Sequence, residues 1–402
     1  MKMKLLKEAL PEGASGADAA ILVLLALFFF SVPFSIFLAQ IGCFGALIVW
    51  AGMMVRRRRF DPERTGFEVF FGLYFLAELI ATLFSYNKGQ SLLYMQRRMM
   101  LILILYVIVS NVRTEKSVRA LLASLLLSAV LVSLWGFRDL LFHLADYLAF
   151  ERRLSEFQMY MTAGGIMMIV ALLILPFLFH RGTPREVRWT LAIVMIPVLV
   201  NLLFTFTRSS WLGLIAGAIV IGIRRQRQAL MLLLVAVVLV VAVSSPEIRG
   251  RMTSIFDVTH SNNLTRVNMW KTGWRMFLDH PLIGIGDMGT EQLWDRYSEP
   301  GWTPEGHLHN NLLMWLVTMG LAGFLVLVSL FVAIWMRLWK LEAQLKDDWL
   351  FGSLLLGGLG VLAGFHINGL FEWNFGDAEI MMLIWGITGL SLAAGRIAGA
   401  KG

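Results

Sequence analysis

The sequence has few charged residues and almost no cysteine. Asp, Glu, Lys and Arg make up 15% of the 402 residues, whereas hydrophobic residues make up 58%. An ordinary soluble protein carries roughly 25% charged residues, so this composition excludes a water-soluble enzyme, a disordered tail and a fibrous protein. Cys43 is the one cysteine and lies inside an apolar run, which excludes an internal disulfide framework and a cysteine metal cluster. The sequence therefore predicts a polytopic membrane protein.

Two catalytic motifs of soluble enzymes are also missing from the sequence. It contains no GxxxxGK[ST] segment and no GxSxG segment, which argues against an ATP-driven motor and against a serine hydrolase of the α/β type. A GxGxxG segment does occur at 284–289. A dinucleotide fingerprint requires a preceding strand inside a βαβ unit, and none is predicted here. The segment is therefore interpreted as a tight glycine turn.

Long apolar runs predict an all-α fold with about twelve transmembrane helices, because a spanning helix needs about 20 mostly apolar residues. The domain organisation follows from them: residues 1–244 hold spans one to nine, 245–308 form one large external loop with short helices, and 309–402 hold spans ten to twelve. The predicted spans are centred on 19–36, 38–55, 67–85, 91–110, 119–141, 162–179, 189–206, 210–223, 229–244, 309–336, 350–371 and 377–395.

The distribution of basic residues predicts the orientation of these spans. With both termini in the cytoplasm, every cytoplasmic segment carries Lys or Arg, as the positive-inside rule requires. The net charge of +8 is accordingly interpreted as topology signalling and attraction to anionic membrane lipid, rather than as binding of nucleic acid.

The external loop contains a predicted helix over 263–279 in which Arg266, Trp270 and Trp274 recur every four residues and share one face. A guanidinium fork beside indole rings suits a phosphate or a sugar, and Arg275 on the same helix is a further candidate for substrate binding. The alternative is an interfacial helix with aromatic anchors and snorkelling arginine.

Other arginines lie at predicted external span edges. Arg208 sits in a tight turn between two spans, where its charge is costly unless an anionic group meets it; the alternative is a lipid-headgroup contact. Arg152 and Arg153, in the connection 142–161, are weaker candidates of the same kind, and so are Arg97 and Arg98.

Histidines stand where the external loop meets the tenth span. His309 is placed to act as a catalytic base, although His309 or Asn310 could instead cap the helix. Asn310 is also a candidate for substrate binding. A metal site of His307, His309 and Glu305 lacks further ligands at suitable spacing, so no metal is predicted. Asp377 is predicted to orient a histidine or an arginine from a neighbouring loop.

The ordered set of these segments resembles the O-antigen ligase (WaaL) family and the related O-antigen and exopolysaccharide polymerases. The resemblance rests on 207–210 in the short turn, Arg266-x-x-x-Trp270 and 279–286 in the large loop, and His309-Asn310-x-x-Leu313 followed by 320–323 in the next span. Arg208, Arg266 and His309 match the family's two arginines and loop-end histidine, and Asp377 matches its late acidic residue more loosely.

The resemblance implies an enzyme of the bacterial inner membrane whose active site faces the periplasm. As a ligase it would move an O-antigen glycan from undecaprenyl diphosphate to a sugar of the lipid A–core oligosaccharide, with no cofactor. The physical chemistry of the residues fits: arginines stabilise the departing diphosphate, and His309 takes a proton from the acceptor hydroxyl. The alternatives are a polysaccharide polymerase, a protein O-oligosaccharyltransferase and, from another class, a lipid-glycan transporter, which would place its ionisable groups nearer the bilayer midplane.

Overall fold

The computed structural model of the chain describes residues 13–149, 151–155, 157–228 and 261–400, with a few isolated positions beside them. Within these ranges all regular secondary-structure elements are helices, joined by turns and loops. The helices in chain order are α1 (Gly16–Ser31), α2 (Ile36–Arg57), α3 (Glu68–Phe84), α4 (Lys88–Asn111), α5 (Glu115–Phe142), α6 (Leu144–Leu148), α7 (Tyr160–Phe179), α8 (Arg185–Phe204), α9 (Arg208–Arg224), α10 (Ser261–Asp279), α11 (Trp294–Tyr297), α12 (Asn311–Leu345), α13 (Phe351–Asn368) and α14 (Ala378–Gly399), with a 3₁₀ turn at Thr290–Leu293.

Among the described helices, eight are long and apolar enough to cross a membrane: α2, α4, α5, α7, α8, α12, α13 and α14. The helices α1, α3 and α9 have 16, 17 and 17 residues and coincide with the first, third and eighth predicted spans. The ninth predicted span, 229–244, lies outside the described residues except for positions 230, 231 and 235. The part 245–260 of the predicted external loop does so except for position 250. The all-helical, multi-pass fold is confirmed, while the count of twelve spans and the three-part division of the chain stay predictions.

The basic segments gather at one end of the helix bundle. Arg396, near the end of α14, forms an ion pair of 3.0 Å with Glu63 in the α2–α3 connection. At the end of α9, Arg224 and Arg225 each lie 2.8 Å from the buried carboxylate of Glu342 in α12. These ends carry the arginine-rich connections, and the opposite ends of α9, α12 and α14 border the site described below.

Helix α13 occupies the centre of the bundle and packs against α7, α9, α12 and α14. Its approach to α9 is very close: a Cβ atom on Gly217 would lie 2.5 Å from the carbonyl oxygen of Gly360. Small residues at a helix–helix contact allow such an approach in membranes. The packing fixes the position of the site, because α9 begins at Arg208 and α13 leads directly into the connection 369–377.

Helix α12 is interrupted near its start. Gly320 has φ 64° and ψ −169°, a left-handed backbone conformation that strongly favours glycine. A Cβ atom there would lie 2.3 Å from the carbonyl carbon of Leu282. Beyond the break, the Leu321 amide donates to the carbonyl of Pro281 at 2.8 Å, so the connection between α10 and α12 completes the hydrogen bonding of the broken helix.

The GxGxxG segment 284–289 provides the other half of this interaction. All its glycines have positive φ, and the amides of Ile285 and Gly286 donate to the carbonyls of Val317 and Thr318 at 2.9 and 3.0 Å. These carbonyls are left open by the break in α12. The chain bends at these glycines, and the amides of the segment cap the open end of a helix.

The described part of the predicted external loop packs onto the start of α12 through its own apolar cluster. Met276 of α10, Trp294 of α11 and Leu308 are almost completely buried against Met314 of α12. This cluster holds α10 over the ends of α9 and α12, where its polar face meets the residues of the site.

Candidate active site

The turn between α8 and α9 presents Arg208 to the interior. Phe206 has φ 51°, an unusual conformation for a bulky residue that occurs where the surrounding structure imposes it. The chain reverses there, and Arg208 becomes the first residue of α9. The Arg208 side chain is largely buried, and its Nη2 donates to Oδ1 of Asn263 in α10 at 2.9 Å.

Helix α10 turns Arg266 and Trp270 toward the bundle, as their four-residue spacing predicts. Arg266 Nη2 donates to Oε1 of Glu372 at 2.6 Å, and Trp270 Nε1 donates to the Leu308 carbonyl at 3.0 Å. Trp274 does not follow them: it is 49% exposed and contacts Phe277. The predicted face is therefore correct for its first two residues only.

His309 and Arg266 share one carboxylate. The Nδ1 atom of His309 lies 2.8 Å from Oε2 of Glu372, whose Oε1 accepts from Arg266. A carboxylate accepts hydrogen bonds, so Nδ1 carries the proton and the lone pair of the neutral ring lies on Nε2. His309 has φ 45°. Phe206 and His309 thus both carry left-handed backbone at this site, the kind of strain that concentrates where function requires a particular side-chain position.

These groups line one cavity of about 250 Å³, named here the arginine cavity. Among the described residues of its wall, three are arginines and one is a glutamate. Arginine forks bind phosphate oxygens in pairs, so the wall suits an anionic ligand. The charged and titratable wall residues are Arg153, Arg208, Arg266, His309 and Glu372.

A second cavity of about 250 Å³, the imidazole cavity, shares His309 and Glu372 with the first. His307 lies in its wall with its ring edge-on to that of His309, at 4.3 Å between centroids. Burial, and to a lesser extent the neighbouring His309, lowers the pKa of His307 to about 4. His307 is therefore neutral near pH 7. Within the described residues, no group of three or more His, Cys, Asp or Glu is arranged for a metal ion.

Asp377 lies beside the imidazole cavity but does not orient His309 or an arginine. Its side chain caps α14 by accepting from the Ile380 amide at 3.1 Å, and it accepts from Oγ1 of Thr162 at 2.5 Å. The orienting contacts predicted for Asp377 are made by Glu372 instead, because the turn after α13 directs Glu372 toward α9 and α10.

Two further predicted residues lie outside the arginine cavity. Arg275 donates to Tyr297 and Glu299 on the outer side of α10. Arg152 forms a bidentate pair with Asp139, both bonds being 2.7 Å long. A role of Arg275 or Arg152 in substrate binding would require these pairs to open, and it stays a prediction.

Asn310 caps α12, since its Oδ1 accepts from the Leu313 amide at 3.0 Å. This contact confirms that Asn310, and not His309, is the N-cap of α12. The contacts by which Asn310 would also bind a substrate stay a prediction.

Arg153 is only a weaker candidate in the sequence, and Glu372 is not singled out there, although both line the arginine cavity. Arg153 directly follows Arg152, and only the loop geometry decides which of the two points inward. Glu372 is one of two acidic residues in 369–377, so the segment was identified but the wrong carboxylate was chosen.

The geometry brings Arg208, Arg266 and His309 together at one cavity, as the resemblance to glycan-transfer enzymes implies. Residues 193–328 match the O-antigen ligase family (Wzy_C). The match covers about a third of the chain and includes all three residues. It confirms the resemblance to the O-antigen ligase/polymerase superfamily, whose members are glycosyltransferase-like enzymes of the membrane. The search of curated proteins found no match.

Proposed function

We propose that the protein is an O-antigen ligase that transfers a glycan from undecaprenyl diphosphate to the lipid A–core oligosaccharide. The observation that carries this proposal is the convergence of Arg208, Arg266 and His309 on the arginine cavity. The match over 193–328 supports the superfamily. The ordered sequence segments are shared by ligases and polymerases, and the acceptor assay below distinguishes the two.

The arginines bind the diphosphate of the donor. Cleavage of the sugar–phosphate bond adds negative charge to the departing lipid diphosphate, and hydrogen bonds from the guanidinium groups of Arg208 and Arg266 stabilise that charge. Removing one donor from such a preorganised site costs about 2.7–4 kcal/mol of transition-state stabilisation. The two arginines thereby supply the charge that a metal ion supplies in many other phosphate-transferring sites, so we expect transfer without a metal or nucleotide.

His309 serves as the general base. The acceptor hydroxyl loses its proton to Nε2 of His309 while its oxygen forms a bond to the anomeric carbon. The bond from that carbon to the diphosphate oxygen breaks, and its electron pair leaves with the lipid diphosphate. Glu372 holds Nδ1 and stabilises the imidazolium, the part that an aspartate plays in a serine–histidine–aspartate triad. A single displacement of this kind inverts the anomeric configuration.

The proposed orientation places the arginine cavity in the periplasm and both termini in the cytoplasm of the bacterial inner membrane. It is supported by the gathering of arginine-rich connections at the end of the bundle opposite to the cavity, because cytoplasmic loops carry the excess of Lys and Arg.

A polymerase that uses a second undecaprenyl-linked glycan as acceptor is the alternative, since the family match covers both activities. The test is the purified protein with an undecaprenyl-diphosphate O-antigen glycan as donor and each acceptor in turn, with and without EDTA, analysed by product mass. We expect glycosylated lipid A–core in both conditions. A product from the lipid-linked glycan alone would show a polymerase, and loss of product in EDTA would contradict the metal-free mechanism.

A further inference from the structure

A third and larger cavity lies on the far side of His307. Its volume is about 710 Å³, and we name it the α4 chamber because α4 supplies much of its polar wall. It shares His307 and Trp373 with the imidazole cavity, which in turn shares His309 and Glu372 with the arginine cavity. The three cavities therefore border one another in a row, with the two imidazoles in the middle.

The α4 chamber has the mixed wall of a carbohydrate site. Trp373 and Phe375 offer aromatic surface, while Gln40, Tyr94 and Glu291 offer amide, hydroxyl and carboxylate groups. Binding sites for small molecules commonly combine apolar and aromatic walls with a few polar groups that fix orientation. A sugar ring presents both surfaces, since its C–H face packs on aromatic rings and its hydroxyls bond to the polar groups.

The charged side chains of the chamber wall indicate which kind of sugar it would bind. Arg98 is already neutralised, because it lies 3.0 Å from Glu78 and also pairs with Asp287. Arg97 forms no ion pair within the part of the chain that the structure describes, and its guanidinium lies 5.9 Å from the ring centre of Tyr94. A cation on a membrane helix without a counter-charge favours an anionic ligand. The wall also carries the carboxylate of Glu291, so the positive charge is local to Arg97. The part of the chamber beside Arg97 suits a phosphate or carboxylate group on a sugar.

The chamber also reaches the edge of the bundle between α2 and α4. Ile36 and Phe44 of α2 line it, and Phe37 on the same helix is 68% exposed. An apolar exposed surface on a membrane helix faces lipid. A ligand whose acyl or prenyl chains remain in the bilayer can therefore extend its sugar into the chamber from the side.

We propose that the α4 chamber binds the acceptor, a lipid-borne glycan with an anionic substituent, and that Arg97 binds that substituent. The acceptor hydroxyl would approach Nε2 of His309 from the imidazole side, opposite to the diphosphate in the arginine cavity. This inference rests on the proposed function and adds the location and the chemical class of the second substrate.

The test compares Arg97→Ala with Gln96→Ala. Gln96 precedes Arg97 on the same exposed stretch of α4 and lines none of the three cavities, so it controls for a change of helix surface.

Initial rates are measured while the acceptor and the undecaprenyl-diphosphate donor are varied separately, with lipid A–core or a second undecaprenyl-linked glycan as acceptor. For whichever acceptor is used by the wild type, Arg97→Ala should raise the acceptor KM about tenfold or more, the loss of one charge-assisted hydrogen bond. The donor KM and kcat should stay within about twofold, and Gln96→Ala should resemble the wild type.

A second measurement does not depend on turnover. In a Cys43→Ser background, Gln40→Cys places a thiol in the chamber wall, and the acceptor alone should slow its alkylation by a maleimide, whereas undecaprenyl diphosphate should not. Equal KM changes for donor and acceptor, or no protection by the acceptor, would overturn the placement of the acceptor while leaving the proposed function intact. Absence of transfer by the wild type with either acceptor would instead refute the proposed function.

Discussion

Replacement of Glu372 with Gln is the most informative perturbation of the site, because one carboxylate contacts both His309 and Arg266. Its two oxygens lie 2.8 Å from His309 Nδ1 and 2.6 Å from Arg266 Nη2. Glutamine keeps the size but has one oxygen and no charge. It cannot accept from both partners, and it leaves the imidazolium of the transition state without a counter-charge.

The expected loss follows from the contribution of a positioned base. General-base catalysis contributes about 10²–10⁴ in rate, which corresponds to roughly 2.7–5.4 kcal/mol. We expect Glu372→Gln to lower kcat by about two to four orders of magnitude while the protein remains folded. The matched control is Glu299→Gln, the same chemical change in an arginine–glutamate pair at the surface of α10. An exposed pair contributes about 0–1 kcal/mol, so this control should keep nearly full activity.

The assay is single-turnover transfer from the undecaprenyl-diphosphate glycan, with thermal unfolding measured on the same samples. A Glu372→Gln enzyme with kcat within threefold of the wild type would refute the assignment of Glu372 as the residue that positions His309. An equal loss in Glu299→Gln would show that the effect is not specific to the site.

Three other predictions concern His309, His307 and Gly320. His309→Gln should lower kcat by about 10²–10⁴ without weakening donor binding, measured by transfer rate and by donor affinity; an unchanged rate would exclude the base role. Burial lowers the pKa of His307 to about 4 from its ordinary value of about 6.5, so the folded protein binds fewer protons than the unfolded chain between these values. His307 therefore favours the folded state fully above pH 6.5 and loses this effect as the pH falls to 4, by up to about 3 kcal/mol; His307→Gln should flatten this part of the stability–pH curve in thermal unfolding. Gly320→Ala should lower the unfolding temperature, because its φ of 64° and the contact with Leu282 leave no room for a Cβ atom; an unchanged temperature would mean that the loop relaxes at no cost.

The helical architecture could be predicted from the sequence, because each helix that crosses a bilayer requires one continuous apolar run, and such a run is visible without knowledge of tertiary contacts. The position of Arg208 was equally local, since a tight turn between two apolar runs places its charge at a membrane edge. The interruption at Gly320 was not predictable in this way. It depends on the carbonyls of Pro281 and Leu282 and on the amides of Ile285 and Gly286, which pair with backbone groups of α12 only after the segment 280–289 has folded back.

The choice among neighbouring polar residues also depended on tertiary packing. Arg152 and Arg153 are adjacent, yet Asp139 binds the first and the arginine cavity receives the second. Residue type and spacing do not predict which of two adjacent arginines points into the cavity. Glu372 was likewise distinguished from Asp377 only by the close packing of α9 on α13, which brings the turn after α13 to the arginines.

Binding of free undecaprenyl diphosphate tests the central claim most directly, because this molecule is the leaving group that the arginines are proposed to stabilise. Its affinity is compared in the wild type, Arg208→Ala and Arg266→Ala, with Arg296→Ala at the exposed surface as control. Loss of a hydrogen bond to a charged group costs about 1.5–3 kcal/mol, so each cavity variant should bind roughly 10- to 150-fold more weakly, and the control should match the wild type. Equal affinity in all four proteins would contradict the proposal that these arginines hold the diphosphate.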